Sequence, residues 1–249
     1  MLIDTHCHIH EANYPDGIGA LLRARHAGVG KVVCVGTDTI TSRGAFEFSR
    51  QHEDVYFSVG THPHDSKDGY ETAIELAKSR SGKLVAIGEI GLDYFYTHSP
   101  REVQIAALEA QLQLALDNNL PVIFHVRDAF GDFWPIFDNF PGLCGVLHSF
   151  TDTTATMEKA ISNNLYIGVN GISTFTKDEL QKKMFDAIPA EKILLETDAP
   201  FLTPAPLRGK VNEPAFVRSV AEYHATRRGI ELEELAQITS LNASSLFSF

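Results

Sequence analysis

Eight short runs dense in Val, Ile, Leu and Phe recur along 249 residues, and each is followed by a longer stretch with helical patterning. The runs cover residues 2–5, 31–35, 55–59, 84–88, 121–124, 145–147, 166–169 and 193–196. Near-continuous apolar segments of this length are the pattern of parallel strands whose outer face is covered by helices. A chain of about 250 residues with eight such units matches one TIM barrel. A doubly wound open sheet is the rival α/β architecture, but it requires a Gly-rich phosphate loop after its first strand. Here the first run leads into His6-Cys7-His8 instead. The expected fold is therefore a single (β/α)8 TIM barrel domain spanning residues 1–249.

Helix signals between the runs agree with this reading. Ser99, Pro100 and Glu102 have the spacing of a capping box with proline in the first turn, ahead of Ile105, Leu108, Leu112 and Leu116. Phe130, Phe133, Trp134 and Phe137 fall at i, i+3, i+4 and i+7, a stripe expected to pack into the core rather than to stack on bases. Two further helices are expected over 215–228 and 232–246, the first capped by Asn212 or Glu213.

In a barrel of this kind the active site is built at the C-terminal ends of the strands. Metal-capable side chains recur at those ends. They are His6 and His8 after the first run, His62 and His64 after the third, Glu89 after the fourth, His125 after the fifth and His148 after the sixth. Asn170 follows the seventh run, and Glu196 and Asp198 close the eighth. In extended backbone, residues i and i+2 share a face, so His6 and His8 can reach one cation while Cys7 points away. A carboxylate such as Glu89 beside apolar strand residues is costly unless paired or ligating, and it can bridge two cations. Asp198 can complete the coordination or orient and deprotonate a water. Four imidazoles and two carboxylates exceed the needs of one four-coordinate zinc and fit a pair of divalent cations sharing a carboxylate. Imidazole-rich sites suit Zn, Ni, Fe or Cu and Mg favours oxygen ligands, so the donor set leaves the ion open, with Mg, Mn or Zn as the ions to test. A pair of cations is suited to hydrolysis, with Asp198 and Glu89 as the catalytic carboxylates. Arg127, two residues beyond His125, and Arg208 and Lys210 in the Pro-rich segment after the last run are candidate phosphate contacts. Asp93 and Tyr94, after the fourth run, divide evenly between contacts to the ligands or the substrate and structural roles.

Charge limits the substrate question. With 21 Lys and Arg against 32 Asp and Glu, the net charge of −11 excludes a broadly basic, phosphate-coating protein. A nucleic-acid substrate needs local cationic contacts or bound metals. Cys7, Cys34 and Cys144 are odd in number and form no CxxC pair, as expected of small buried thiols in a reducing compartment. No leader-like segment and no apolar run of about 20 residues is present, so a cytoplasmic protein without a membrane anchor or an obligate protein partner is expected.

Taken in order, the motifs resemble the TatD-like metal-dependent deoxyribonucleases of the amidohydrolase-type barrel superfamily. They are Asp4-Thr5-His6-Cys7-His8, Gly60-Thr61-His62-Pro63-His64, Gly88-Glu89-Ile90-Gly91-Leu92-Asp93-Tyr94, His125-Val126-Arg127-Asp128-Ala129, Gly145-Val146-Leu147-His148-Ser149-Phe150, Glu196-Thr197-Asp198-Ala199-Pro200 and 208–214. The resemblance covers essentially the whole chain. It implies a divalent-metal phosphodiesterase acting on DNA, in some relatives from its ends. It further implies one metal on His6, His8, Glu89 and Asp198, a second on Glu89, His125 and His148, and phosphate or additional metal contacts at His62 and His64. A metal-dependent ester or amide hydrolase, such as a D-aminoacyl-tRNA deacylase, is the alternative that the same site would serve. The chain departs from the family pattern at His10, Ser149, Asp152 and Val211, none of them a proposed ligand, and these departures bear on substrate preference more than on chemistry.

Overall fold

The computed structural model describes residues 1–78 and 81–249. In chain order the elements are β1 (Leu2–Cys7), α1 (Gly17–His26), β2 (Val29–Val35), α2 (Thr39–Gln51), β3 (Val55–Val59), α3 (Glu71–Lys78) and β4 (Leu84–Asp93). There follow α4 (Arg101–Asn118), β5 (Val122–Arg127), α5 (Phe130–Phe137), β6 (Gly145–Leu147), α6 (Thr154–Ser162) and β7 (Leu165–Val169). The chain ends with α7 (Ile172–Phe175), α8 (Glu179–Ala187), β8 (Ile193–Leu195), α9 (Val217–Arg228) and α10 (Leu232–Phe247). The strands form one eight-stranded sheet in the order β1 to β8. Closure comes from β8 meeting β1: Asp198 N–H donates to the His6 carbonyl at 2.9 Å, and His8 N–H donates to the Ala199 carbonyl at 2.8 Å. This is the expected (β/α)8 barrel.

By internal contacts the chain divides into two compact units, Met1–Cys34 with Ser149–Phe249, and Val35–His148. In the first, the inner strands β1, β7 and β8 are buried along their apolar residues, with Val217, Val220, Leu235 and Leu246 of the last two helices buried as well. In the second, the stripe on α5 packs inward as expected. The Phe133 ring meets Phe124 of β5 edge-on at 5.1 Å, and Phe133, Trp134 and Phe137 are buried.

Three strands run further than their apolar patterns suggest, because the pattern ends where the metal-capable residues begin. β1 continues through His6 to Cys7, β4 through Glu89 to Asp93, and β5 through His125 to Arg127. Those side chains therefore stand on rigid strand backbone rather than on loops. Gly91 makes the β4 extension possible: its φ is +154°, and a Cβ there would lie 1.8 Å from the His125 carbonyl oxygen. Only a glycine lets β4 and β5 approach this closely.

The expected capping box at Ser99 does not form. α4 begins at Arg101 behind Pro100 with no side-chain cap, and the Ser99 hydroxyl donates instead to the His64 carbonyl at 2.7 Å. Asn212 does not cap the helix after it either. Its amide donates to the carbonyls of Thr197, at 2.8 Å, and Phe201, which fixes the segment around Asp198. Both side chains serve the rim, where tertiary partners outcompete the local cap. Of the three cysteines, Cys7 and Cys34 are buried in strands as expected, whereas Cys144 lies outside any strand and is partly exposed.

Candidate metal centre

In the first unit the pleat of β1 turns His6 and His8 to one side, and the turn after β8 presents Asp198 to them. His6 Nε2 and His8 Nε2 are 3.2 Å apart, and each lies 3.6 Å and 3.4 Å, respectively, from Asp198 Oδ1. Donors around one cation at metal–ligand bonds of about 2.0–2.1 Å stand roughly 3.3 Å apart in a tetrahedral site. The three atoms thus already have the spacing a divalent ion needs. Cys7 faces the other way, its thiol donating to the Val33 carbonyl at 3.5 Å.

The supports of this triad are as specific as the triad. His8 Nδ1 lies 3.3 Å from Glu11 Oε1, which holds the proton on Nδ1 and leaves the Nε2 lone pair facing the cluster. Asp198 has φ +58°, a left-handed conformation uncommon for a side-chain-bearing residue. Its neighbour Thr197 holds it there. Thr197 N–H and hydroxyl donate to buried Asp4 at 2.9 Å and 2.6 Å, and Ala199 N–H donates to the Thr197 hydroxyl at 3.2 Å. Glu196 and Asn170 turn out to be a strut: Glu196 Oε1 accepts from Ser149 N–H at 2.7 Å and from the Asn170 amide at 3.3 Å. Glu11 does not stand at a strand end, and its i, i+3 spacing from His8 is the one sequence signal of its role.

In the second unit Glu89 is the hub. Its Oε1 lies 2.9 Å from His125 Nδ1, 3.6 Å from His62 Nε2 and 3.7 Å from His148 Nε2. On the far side of His125, Nε2 meets Asp93 Oδ2 at 3.1 Å, and the same oxygen meets His64 Nε2 at 2.9 Å. Asp93 thus joins His64 and His125 through one oxygen. Its other oxygen accepts from Phe95 N–H and Tyr96 N–H at 2.9 Å and 3.1 Å, and Gln104 on α4 clasps its backbone.

The electrostatics favour a cation here. Burial works against a charge on His125, yet hydrogen bonds to Asp93 and Glu89 outweigh it and raise the imidazole pKa. A divalent ion supplies the positive charge that this pair of carboxylates favours. His62 behaves differently. Burial, reinforced by His125, pushes its pKa down to about 3, so it is neutral at physiological pH. Its Nδ1 accepts His64 N–H at 3.1 Å, which leaves the ring proton on Nε2. In this tautomer His62 offers a donor toward the Glu89 side of the cluster, as suits a phosphate contact better than a ligand.

The arginines differ in placement. The Arg127 guanidinium lies over the Phe95 ring at 3.8 Å and is exposed beside the cluster just described. Arg208 stacks on Phe175 at 4.0 Å and donates to the Thr203 carbonyl at 2.8 Å, so part of its fork is spent on holding its own segment. Among the departures, Ser149 accepts from the Asn170 amide at 2.9 Å, Asp152 accepts from Thr153 N–H, and Val211 is exposed. His10 lies beside Cys34. Although burial raises the Cys34 pKa, its polar neighbours, Cys7 and His10 foremost, draw the thiol below its usual range.

A family model described as TatD-related DNase matches residues 3–248. An uncharacterized metal-dependent hydrolase of Bacillus subtilis, YabD, is 37% identical over 99% of both chains. The Escherichia coli K12 protein named 3'-5' ssDNA/RNA exonuclease TatD is 38% identical over 89% of this chain and 88% of its own length. Among solved structures, the Escherichia coli K12 TatD homologue YJJV superposes with a TM-score of 0.92 at 29% identity, covering 100% of this chain and 98% of that one. The Escherichia coli phosphotriesterase homology protein shares the fold at a TM-score of 0.74 and 14% identity. With its barrel, its ordered motifs and its converging donors, this chain belongs to the TatD family of metal-dependent hydrolases.

Proposed function

We propose that the protein is a divalent-metal-dependent deoxyribonuclease that removes nucleotides from the 3′ end of single-stranded DNA. The observation that carries this reading is the pairing of donor sets with phosphate-binding groups. Imidazoles and carboxylates converge around Glu89, and beside them stand a neutral His62 with its proton on Nε2 and the exposed Arg127. Relatives named as 3'-5' ssDNA/RNA exonucleases support the substrate and the polarity.

In this proposal His6, His8 and Asp198 hold one cation, and Glu89, His125 and His148 hold a second, with Glu89 serving both as the family resemblance implies. These residues would hold cations whose chemistry, when bound, would be to acidify water and offset charge on the phosphoryl oxygens. Asp198, with Oδ1 turned to the His6 and His8 side, would take up the proton of a water on Oδ2. His62 donates from Nε2 to a phosphoryl oxygen, Arg127 grips a phosphate with its fork, and His64 and Arg208 make outer phosphate contacts. Asp93 keeps the His125 ring oriented. Residues 1–249 act as one functional domain, in keeping with the single family match over 3–248. A cytoplasmic location fits three free cysteines, and among the described residues no helix is long and apolar enough to cross a membrane.

The test is hydrolysis of end-labelled single- and double-stranded DNA by metal-stripped protein with Mg, Mn or Zn restored. The reading expects metal-restored cleavage, faster on single strands, with a product ladder shortening from the 3′ end. Failure to cleave either DNA under any of these metals would reject it.

A further inference from the structure

We propose that Phe95 and Tyr96, with Arg127, form a base-stacking subsite that holds an unpaired nucleobase of the DNA strand next to the metal centre; this rests on the nuclease reading above.

The segment after β4 exposes large aromatic surface where a chain usually hides it. Phe95 is 54% exposed and Tyr96 43% exposed, and the two rings meet edge-to-face at 4.8 Å. Neither ring is on a floppy tip. Asp93 Oδ1 accepts the backbone N–H of both residues, while Oδ2 of the same carboxylate holds His64 and His125. One side chain therefore fixes the aromatic pair and the imidazole cluster in a common frame. The Tyr96 ring also touches His64 edge-on at 5.3 Å and stacks with His98 at 5.5 Å.

The Arg127 guanidinium covers one face of Phe95 at 3.8 Å and lies 5.2 Å from the Tyr96 ring. Even with that guanidinium and the Tyr96 ring against it, Phe95 remains more than half exposed. An exposed aromatic ring with a cation against it suits a planar π-system whose neighbouring phosphates are negative. In a protein with net charge −11, this cationic aromatic pair beside the metal donors gives a polyanion a local foothold. An internal base of a duplex has both faces occupied by its neighbours, so the subsite favours unpaired bases, whose faces are free along the strand. The subsite thus supplies a physical reason for single-strand preference.

The experiment compares decathymidylate with an abasic decamer that carries the same phosphates and no bases, for wild-type protein, Phe95→Ala, Tyr96→Ala and Phe95→Trp, each with metal restored. Stacking on one aromatic side chain corresponds to a change on the order of five- to a hundredfold in affinity. The alanine variants should lose about tenfold or more in the preference for decathymidylate over the abasic strand, chiefly through KM, and Phe95→Trp should restore it. A 2-aminopurine placed near the 3′ end should be quenched on binding to wild type and less so with Phe95→Ala. An undiminished preference in both alanine variants, with wild type cleaving DNA normally, would overturn the subsite and leave the nuclease standing. If wild type cleaves neither strand, the nuclease reading falls and the subsite with it.

Discussion

Replacing Asp93 by Asn isolates what its charge does for the centre. The carboxylate accepts two backbone N–H groups on Oδ1 and faces two imidazole Nε2 atoms with Oδ2. Asparagine keeps a carbonyl oxygen for the backbone pair, so the Phe95–Tyr96 turn should persist. It puts an NH2 group where Oδ2 stood, and that group cannot accept from either imidazole. Two bonds to a charged partner are lost, each worth about 1.5–3 kcal/mol where such bonds have been measured. Most of that loss falls on the orientation and basicity of His125, whose raised pKa has the Asp93 hydrogen bond as its leading favourable cause. Outer-shell carboxylates behind a ligating histidine typically contribute 10–100-fold to metal affinity, or about 1.4–2.7 kcal/mol, which agrees with losing one such bond. Metal titration by isothermal calorimetry, with kcat measured on single-stranded DNA at saturating metal, should show a 10–100-fold weaker site and an unchanged far-UV spectrum. Affinity and kcat within twofold of wild type would refute the role of Asp93 as the carboxylate that orients His125.

Asp198→Asn should keep the fold and at least one bound cation, yet lower kcat by on the order of 10²–10⁴, the range for a missing general base; near-normal kcat at full metal occupancy would remove Asp198 from proton transfer. His224 gives a pH test remote from the centre. It is buried, donates to the Ser173 hydroxyl at 2.9 Å and accepts from Arg228 at 3.2 Å, and burial, followed by Arg228, lowers its pKa to about 3. The unfolded chain binds this proton near pH 6.5 and the folded one only near 3. The contribution of His224 is therefore complete above about pH 6.5 and drains away as pH falls toward 3. His224→Gln, which keeps a donor and an acceptor, should flatten the acid limb of Tm against pH between 6.5 and 4; an unaltered limb would show that His224 does not titrate in this way.

The architecture was legible because barrel strands are apolar on both faces, so all eight announce themselves. The candidate ligands were legible because each breaks an apolar run at its end, as His6, Glu89 and His125 do. What the sequence hid was mostly the second layer. Asp4 and Thr197 act on the site through a bond between residues 193 apart in the chain, which no local spacing reveals, whereas Glu11 reaches His8 across a local i, i+3 spacing that does not lie at a strand end. Ser99 misled for a related reason: its capping spacing is genuine, but the His64 carbonyl is a competing acceptor that only the folded chain supplies. The exposed Phe95 and Tyr96 were equally silent, since nothing in a sequence separates an aromatic residue in a loop from one in the core.

The most direct test of the account is the metal content of Glu89→Ala measured by mass spectrometry beside its DNA hydrolysis under restored Mg, Mn or Zn. If Glu89 serves both cations, the variant should lose occupancy at both positions and its cleavage together, while the fold survives. Full occupancy with normal cleavage would contradict the account at its centre, and loss of a single cation would refute the shared carboxylate.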